Sequence, residues 1–354
     1  MLYQTENQHG GDVYGGGITL DFSANTNPLG TPPGVLEAVC RALPQLYRYP
    51  DPYCRRLVQA IAGHEQVPAS YILCGNGAAD LIYAYCTALR PRMAVELAPT
   101  FAEYGSGLAQ VGCRVERYFL HQAQNFDLDE RFLSFLEEKK PEVVFLCNPN
   151  NPTGRLIPLL LLEQILQYCA AQGARLFLDE CFLDLTEDGV SARSLLASHP
   201  ALLILKAFTK SYGMAGIRLG YCLCADNALL HDMAAASPPW NVSTPAQSAG
   251  VAALAERDFL QKTLSLVRTE RRWLTDNLTA LGFWVCPSHA NYLLFRGPLG
   301  LREGLLQQGI AIRGCGNYNG LDDGWYRIAV RPHGENEALI TAIRQFCKEK
   351  SLWQ

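Results

Sequence analysis

The 354-residue chain has no basic excess: 30 Lys and Arg stand against 34 Asp and Glu, a formal net charge of −4. That balance argues against nucleic acid as the main partner. It has no long apolar run either. The longest uncharged one, near Ile157 to Leu162, is far too short to cross a bilayer. The opening residues, MLYQTENQHGGD, lack the charged stretch and apolar core of a signal peptide. There is no C-x-x-C, and Cys222-x-Cys224 has no second pair at zinc spacing, so no metal is expected. There is no G-x-x-x-x-G-K-[ST], and Asp80 stands where the dinucleotide fingerprint needs its last glycine. No internal repeat or low-complexity tract is present. A soluble cytoplasmic protein with no membrane partner is the expectation.

What is present is an ordinary globular composition, 49% hydrophobic and 18% charged. The length suggests about two domains and enough chain to bury a core without staples. Thirteen cysteines, an odd number with mostly apolar neighbours, read as buried free thiols in a reducing compartment.

Apolar strand-like runs alternate with helical stretches through the middle. YILC (71–74), MAVELA (93–98), VVFLC (143–147), RLFLDE (175–180) and LLILKAF (202–208) are the strands; 78–89, about 101–110 and about 158–171 are helices. Near-continuous apolar strands bounded by helices indicate a parallel sheet covered on both faces. After Pro238-Pro239 a charged helical region spans about 245–281. Strand-like 291–295, 310–313 and 325–330 and a final helix over about 335–349 follow. This part reads as a smaller α+β domain.

Ligands of an open α/β sheet bind at the strands' carboxyl ends, and the polar motifs fall there. Gly75-Asn76-Gly77 between a strand and a helix start suits a phosphate, or is a plain turn. Asp179 ends an apolar strand and needs a partner: a cationic ring nitrogen, an arginine, or a helix N-terminus that it caps. Lys210 is a surface lysine or a Schiff-base former beside Thr209 and Arg218.

The order of these features is more specific than any one of them. A Gly-rich turn, NPNNPTG (148–154), a strand-ending Asp-Glu, then Thr-Lys-x5-Gly-x-Arg-x-Gly-Tyr resembles the fold-type I, pyridoxal-phosphate-dependent aminotransferase superfamily. The resemblance spans almost the whole chain. It implies an α/β fold: a mainly parallel, seven-stranded-type sheet in a large α/β/α domain, plus a smaller α+β domain. The implied division is 1–44 as arm and part of the small domain, 45–240 as the large domain, and 241–354 as the small C-terminal domain.

The resemblance also implies roles. Lys210 would carry pyridoxal 5'-phosphate, and Asp179 would pair with its ring nitrogen. Asn151 would bond the phenolic oxygen and Tyr104 would stack on the ring. Gly77, Ala78, Thr209 and Arg218 would hold the cofactor phosphate, with Ala207 replacing a frequent Ser or Thr. Tyr49 would reach the cofactor of a neighbouring subunit in a homodimer.

Within the superfamily the chain resembles the branch that joins histidinol-phosphate aminotransferases to the threonine-phosphate decarboxylases of cobalamin biosynthesis. His9-Gly10-Gly11, DFSANTNPLG (21–30), PPWNVSTPAQSAG (238–250), IRGCGNYNGL (312–321) and Phe182 in DECF, in place of a usual tyrosine, favour the decarboxylase side. The implied substrate is a small phosphorylated amino acid. His9, reaching across the dimer, with Asn25, Arg313 and Arg327, would anchor it, although a terminal histidine is often only solvated and a strand arginine often a surface ion pair.

Overall fold

The computed structural model describes residues 9–350. A short strand, β1 (Leu20–Asp21), precedes the main sheet. That sheet holds β2 (Ile72–Gly75), β3 (Met93–Ala98), β4 (Arg114–Phe119), β5 (Val143–Cys147), β6 (Arg175–Asp179), β7 (Leu202–Ala207) and β8 (Gly220–Cys224). Their spatial order is β2-β8-β7-β6-β5-β3-β4. All neighbours are parallel except β8, which runs antiparallel between β2 and β7. Residues of β5 alternate between two cores: Val144 and Leu146 face one, Val143, Phe145 and Cys147 the other. A strand apolar on both faces needs a cover on both, which explains its unbroken hydrophobic run.

The C-terminal third forms an antiparallel sheet in the order β12-β13-β10-β9, from β9 (Trp284–Val285), β10 (Tyr292–Arg296), β12 (Arg313–Gly314) and β13 (Trp325–Ala329). The remaining strand, β11 (Ile310–Ala311), pairs in parallel with β1. The Phe22 N–H donates to the Ala311 carbonyl, and its own carbonyl accepts the Ala329 N–H, both at 2.8 Å. The lead-in is thereby stitched to the C-terminal third.

Several features differ from the sequence reading: strand β8 and helix Asn227–Ala236 were not anticipated, and 310–313 divides between β11 and β12. The region 245–281 is two helices, Thr244–Ala253 and Phe259–Ala280. The first packs on helices Pro33–Ala42 and Arg55–Glu65, the second on helix His333–Glu349 and β10, so the chain turns between partners. Strand β4, RVERYF, escapes a search for apolar runs because it is a charged edge strand with one neighbour. Eleven of the thirteen free cysteines are buried, consistent with their use as small hydrophobes. Among the described residues no helix is long and apolar enough to cross a membrane.

Candidate active site

The parallel strands β5, β6 and β7 end side by side, which brings Asn148–Gly154, Asp179 and Lys210 to one edge of the sheet. Because β8 is antiparallel, its first residue lies at that same edge. Gly220 pairs with Ala207 on one side and with Gly75 on the other. The reversed strand therefore delivers Arg218 to the Gly75–Gly77 turn.

Lys210 lies in a single helical turn, Phe208–Ser211, directly after β7. Burial lowers its amine to about 8, and the Arg327 and Arg218 guanidiniums push the same way against Cys181 and Asp179. An amine at that value has a far larger neutral fraction near neutral pH than an ordinary lysine, and that fraction can act as a nucleophile. Its Nζ stands 5.6 Å over the Phe182 ring, which packs edge-on against Tyr292.

Asp179 is buried, and desolvation raises its carboxyl. Two donors oppose that: the Cys181 N–H at 2.9 Å and the Tyr104 hydroxyl at 2.6 Å. Tyr104 therefore does not stack on a ligand ring as the resemblance implied. It is 0% exposed, one face lies on Phe145 at 5.5 Å, and Phe101 meets it edge-on at 5.6 Å. No face is left for a second ring, and its work is to brace Asp179. The ring beside this point that keeps partial exposure is Phe101.

Gly77 has φ +83°, and a Cβ there would meet Arg218 Nη2 at 2.6 Å. The glycine thus lets the guanidinium close over the N-terminus of helix Ala78–Leu89, where free N–H groups favour an anion. Thr209 is buried nearby in sequence on the other flank of Gly220. Tyr49 does not join this cluster. It is 76% exposed and stacks on Trp240 at 4.5 Å.

The three asparagines of NPNNPTG divide their duties. Asn148 Oδ1 accepts the Ile157 N–H, and Asn150 bonds Pro99 and Thr153 and accepts from Thr100. Only Asn151 turns to the small sheet, its Oδ1 accepting from Arg327 Nη1. Its Nδ2 remains to donate elsewhere.

Arg327 also donates from Nη2 to the Ser23 carbonyl, and its buried Nε has no partner. Arg313 is its direct partner across β12 and β13. Like charges facing each other across strands repel, unless an anion sits with them. Arg313 donates to the Gly314 carbonyl and to Asn317 Oδ1. Asn25 is 2% exposed with neither side-chain polar atom bonded. An orphaned buried amide is costly and marks a place for a ligand.

His9 contacts Glu103 and Phe101 of its own chain. Its Nε2 is 2.7 Å from Glu103 Oε1, and its ring is 5.7 Å from Phe101. Glu103, Phe101 and Ser23 were not foreseen, since contacts across domains leave no periodic trace. Lys206, set inside LLILKA, and Glu96, set inside MAVELA, are the charged residues in apolar runs that the sequence does show.

Residues 18–346 match the family model for aminotransferase class I and II. A threonine-phosphate decarboxylase of Salmonella typhimurium is 40% identical, across 92% of this chain and 90% of that protein. The crystal structure of a histidinol-phosphate aminotransferase from Clostridium acetobutylicum superposes with a TM-score of 0.87 at 28% identity, covering 93% of this chain and 99% of that one. That of the L-threonine-O-3-phosphate decarboxylase from Porphyromonas gingivalis gives 0.83 at 25% identity, with the same coverage.

Proposed function

This chain belongs to the aminotransferase class I and II family, and we propose that it decarboxylates L-threonine O-3-phosphate to 1-amino-2-propanol O-phosphate and CO2. It is a pyridoxal-phosphate-dependent enzyme. The observation that carries the substrate reading is the pairing of Arg313 with Arg327 across adjacent strands, close to Lys210 and the unsatisfied Asn25. Two guanidiniums and a buried amide suit a dianion. The choice of decarboxylation is supported by the 40%-identical relative and by Phe182.

The residues fit the cofactor. Gly77 makes room for a phosphate that the Gly77 and Ala78 N–H groups, Thr209 and Arg218 would hold. Asp179, kept in place by Tyr104, would face the ring nitrogen, and Asn151 Nδ2 the phenolic oxygen. Phe101 would cover the ring. When bound at Lys210, pyridoxal phosphate supplies an electron sink for the pair released as the carboxylate leaves Cα.

The chain's own groups do the rest. His9, Asn25, Arg313 and Arg327 would anchor the substrate phosphate and so orient the carboxylate for departure. A tight Arg–carboxylate pair would oppose the reaction, because it is lost as neutral CO2 forms. Lys210, with its amine near 8, can hold a proton and return it to Cα. Phe182 offers no hydroxyl, so of the two positions only Asn151 would bond the phenolic oxygen.

Arg313→Ala is expected to raise KM for threonine phosphate about 10–100-fold, the loss of one hydrogen-bonded charge. Cofactor affinity should stay within about twofold. Tyr104→Phe is expected to lower kcat about tenfold by releasing Asp179 from a charge-assisted bond, with KM little changed; steady-state kinetics check both.

We propose the division 1–44, 45–240 and 241–354 for the arm, large and small domains. We also propose a homodimer in the cytoplasm. Exposed Leu36, Leu43, Leu46, Tyr47, Tyr49 and Tyr53 support an interface that seats Tyr49 at the neighbour's cofactor phosphate. Buried free thiols support a reducing compartment.

The test is CO2 release from L-threonine phosphate, run beside glutamate formation from histidinol phosphate and 2-oxoglutarate. Glutamate without CO2 would make the chain an aminotransferase. Parallel kcat/KM values for serine phosphate would measure what the substrate methyl contributes, about 1–3 kcal/mol in a fitted pocket.

A further inference from the structure

The N-terminal arm is held at two points, one just after β1 and one at the first residue of helix Glu103–Gln110. Gly10 lies flat on Ser23, where a Cβ would meet the Ser23 carbonyl oxygen at 2.2 Å, so only glycine passes. The Gly11 N–H donates to Ser23 Oγ at 2.8 Å, and Ser23 Oγ donates to Asp21 Oδ1 at 2.6 Å. The same Ser23 carbonyl accepts from Arg327. This end of the arm therefore rests on the segment just after β1 and, through the Ser23 carbonyl, is joined to Arg327 of β13.

The other end crosses to the large domain. His9 meets Glu103 Oε1 at 2.7 Å, and the Tyr83 hydroxyl donates to Glu103 Oε2 at 2.7 Å. The His9 ring also leans on Phe101. Both carboxylate oxygens of Glu103 are thus engaged, one by the arm and one by a brace from helix Ala78–Leu89. The His9 and Tyr83 bonds hold the Glu103 carboxyl below its ordinary value.

We propose that Glu103 is a positioning residue: braced by Tyr83, it clasps His9 so that residues 9–11 strap the small sheet to the large domain over the mouth of the site. The strap sets His9 beside Phe101 and backs the Ser23 carbonyl that orients Arg327. Its kinetic consequence rests on the functional reading above; its physical existence does not.

Four holoenzymes test it: wild type, E103A, H9A and H9A/E103A, with E103Q and Y83F as milder variants should E103A fold poorly. Amide hydrogen exchange is followed through residues 9–23, and KM and kcat are measured with L-threonine phosphate. Exchange in that segment is expected to rise about tenfold in E103A, the scale of one lost charge-assisted bond. KM should rise by a similar factor with kcat within about twofold. The double variant should match H9A alone, because Glu103 acts through His9. Unchanged exchange in E103A and E103Q, or effects of the two substitutions that multiply, would overturn the clasp. If no variant, wild type included, turns over threonine phosphate, the functional reading fails while the exchange result still decides the strap.

Discussion

Lys210→Ala is expected to abolish turnover and the visible absorbance of the lysine-bound cofactor. The fall in kcat should be at least about 10³-fold, within the span for losing a positioned proton-transfer group. Lys210 is the amine at the carboxyl end of β7, and burial together with Arg327 and Arg218 lowers it to about 8. The same value sets a pH dependence. Only the neutral amine attacks an aldehyde, so capture of added pyridoxal phosphate by the cofactor-free protein should accelerate as pH rises through about 8 and then level off. Asp179, Thr209 and Arg218 remain in the variant, so equilibrium dialysis should still detect non-covalent binding. Full activity in the variant would refute the assignment of Lys210.

The second large effect is on stability. Lys206 is 4% exposed in a strand that is buried throughout, and its Nζ lies 3.2 Å from Glu65 Oε1 and 3.1 Å from Asp184 Oδ1. Glu65 also accepts from Arg193 and Tyr221, and Asp184 from Ser211, the neighbour of Lys210. Lys206→Met keeps the packing but leaves two carboxylates short of their cation. Breaking a buried pair on one side costs about 3–5 kcal/mol, and urea unfolding should read that loss. E65Q/K206M should recover part of it, because the stranded charge is then gone too.

The pH profile follows from the same cluster. Desolvation raises the Glu65 carboxyl, but Lys206, Tyr221 and Arg193 outweigh it and hold it at about 2, against an ordinary 4.5. A depressed carboxyl stabilises the fold above about 4.5, and that contribution is lost as pH falls toward 2. Lys206 itself is held above its ordinary 10.5, so its contribution is complete below that pH and is lost only as pH climbs past it. Glu180 has the sign opposite to Glu65. Burial pushes it up to about 7, so stability falls as pH rises from 4.5 to 7. In Lys206→Met the acid limb between 4.5 and 2 should flatten; an unchanged limb would show that Lys206 is not what holds Glu65 down.

Much of this site was legible because it is local. VVFLC, RLFLD and LLILKA announce strands covered on both faces. The polar groups that interrupt them, Asn148–Gly154, Asp179 and Lys210, sit where such strands end. Gly77 needs a positive φ at a helix start, and the sequence shows a glycine there. The RVERYF strand was missed because one side of it is unpaired and its pattern is polar. The role of Tyr104 was misjudged because PTFAEY holds two rings three residues apart, and only packing on Phe145 tells which one is buried.

By itself, the sequence determined the class of sheet, the order of the chemical groups along it and the family they resemble. Those properties depend on hydrophobic period and on motifs a few residues long. Tertiary structure alone decided which groups meet. The antiparallel entry of β8 brings Arg218 to Gly77, and the pairing of β12 with β13 sets Arg313 opposite Arg327. The two ends of residues 9–11 rest on Ser23 and Glu103. The partners lie from about a dozen to well over a hundred positions apart in the chain. Their closeness is set by register and layer packing, which no local pattern encodes.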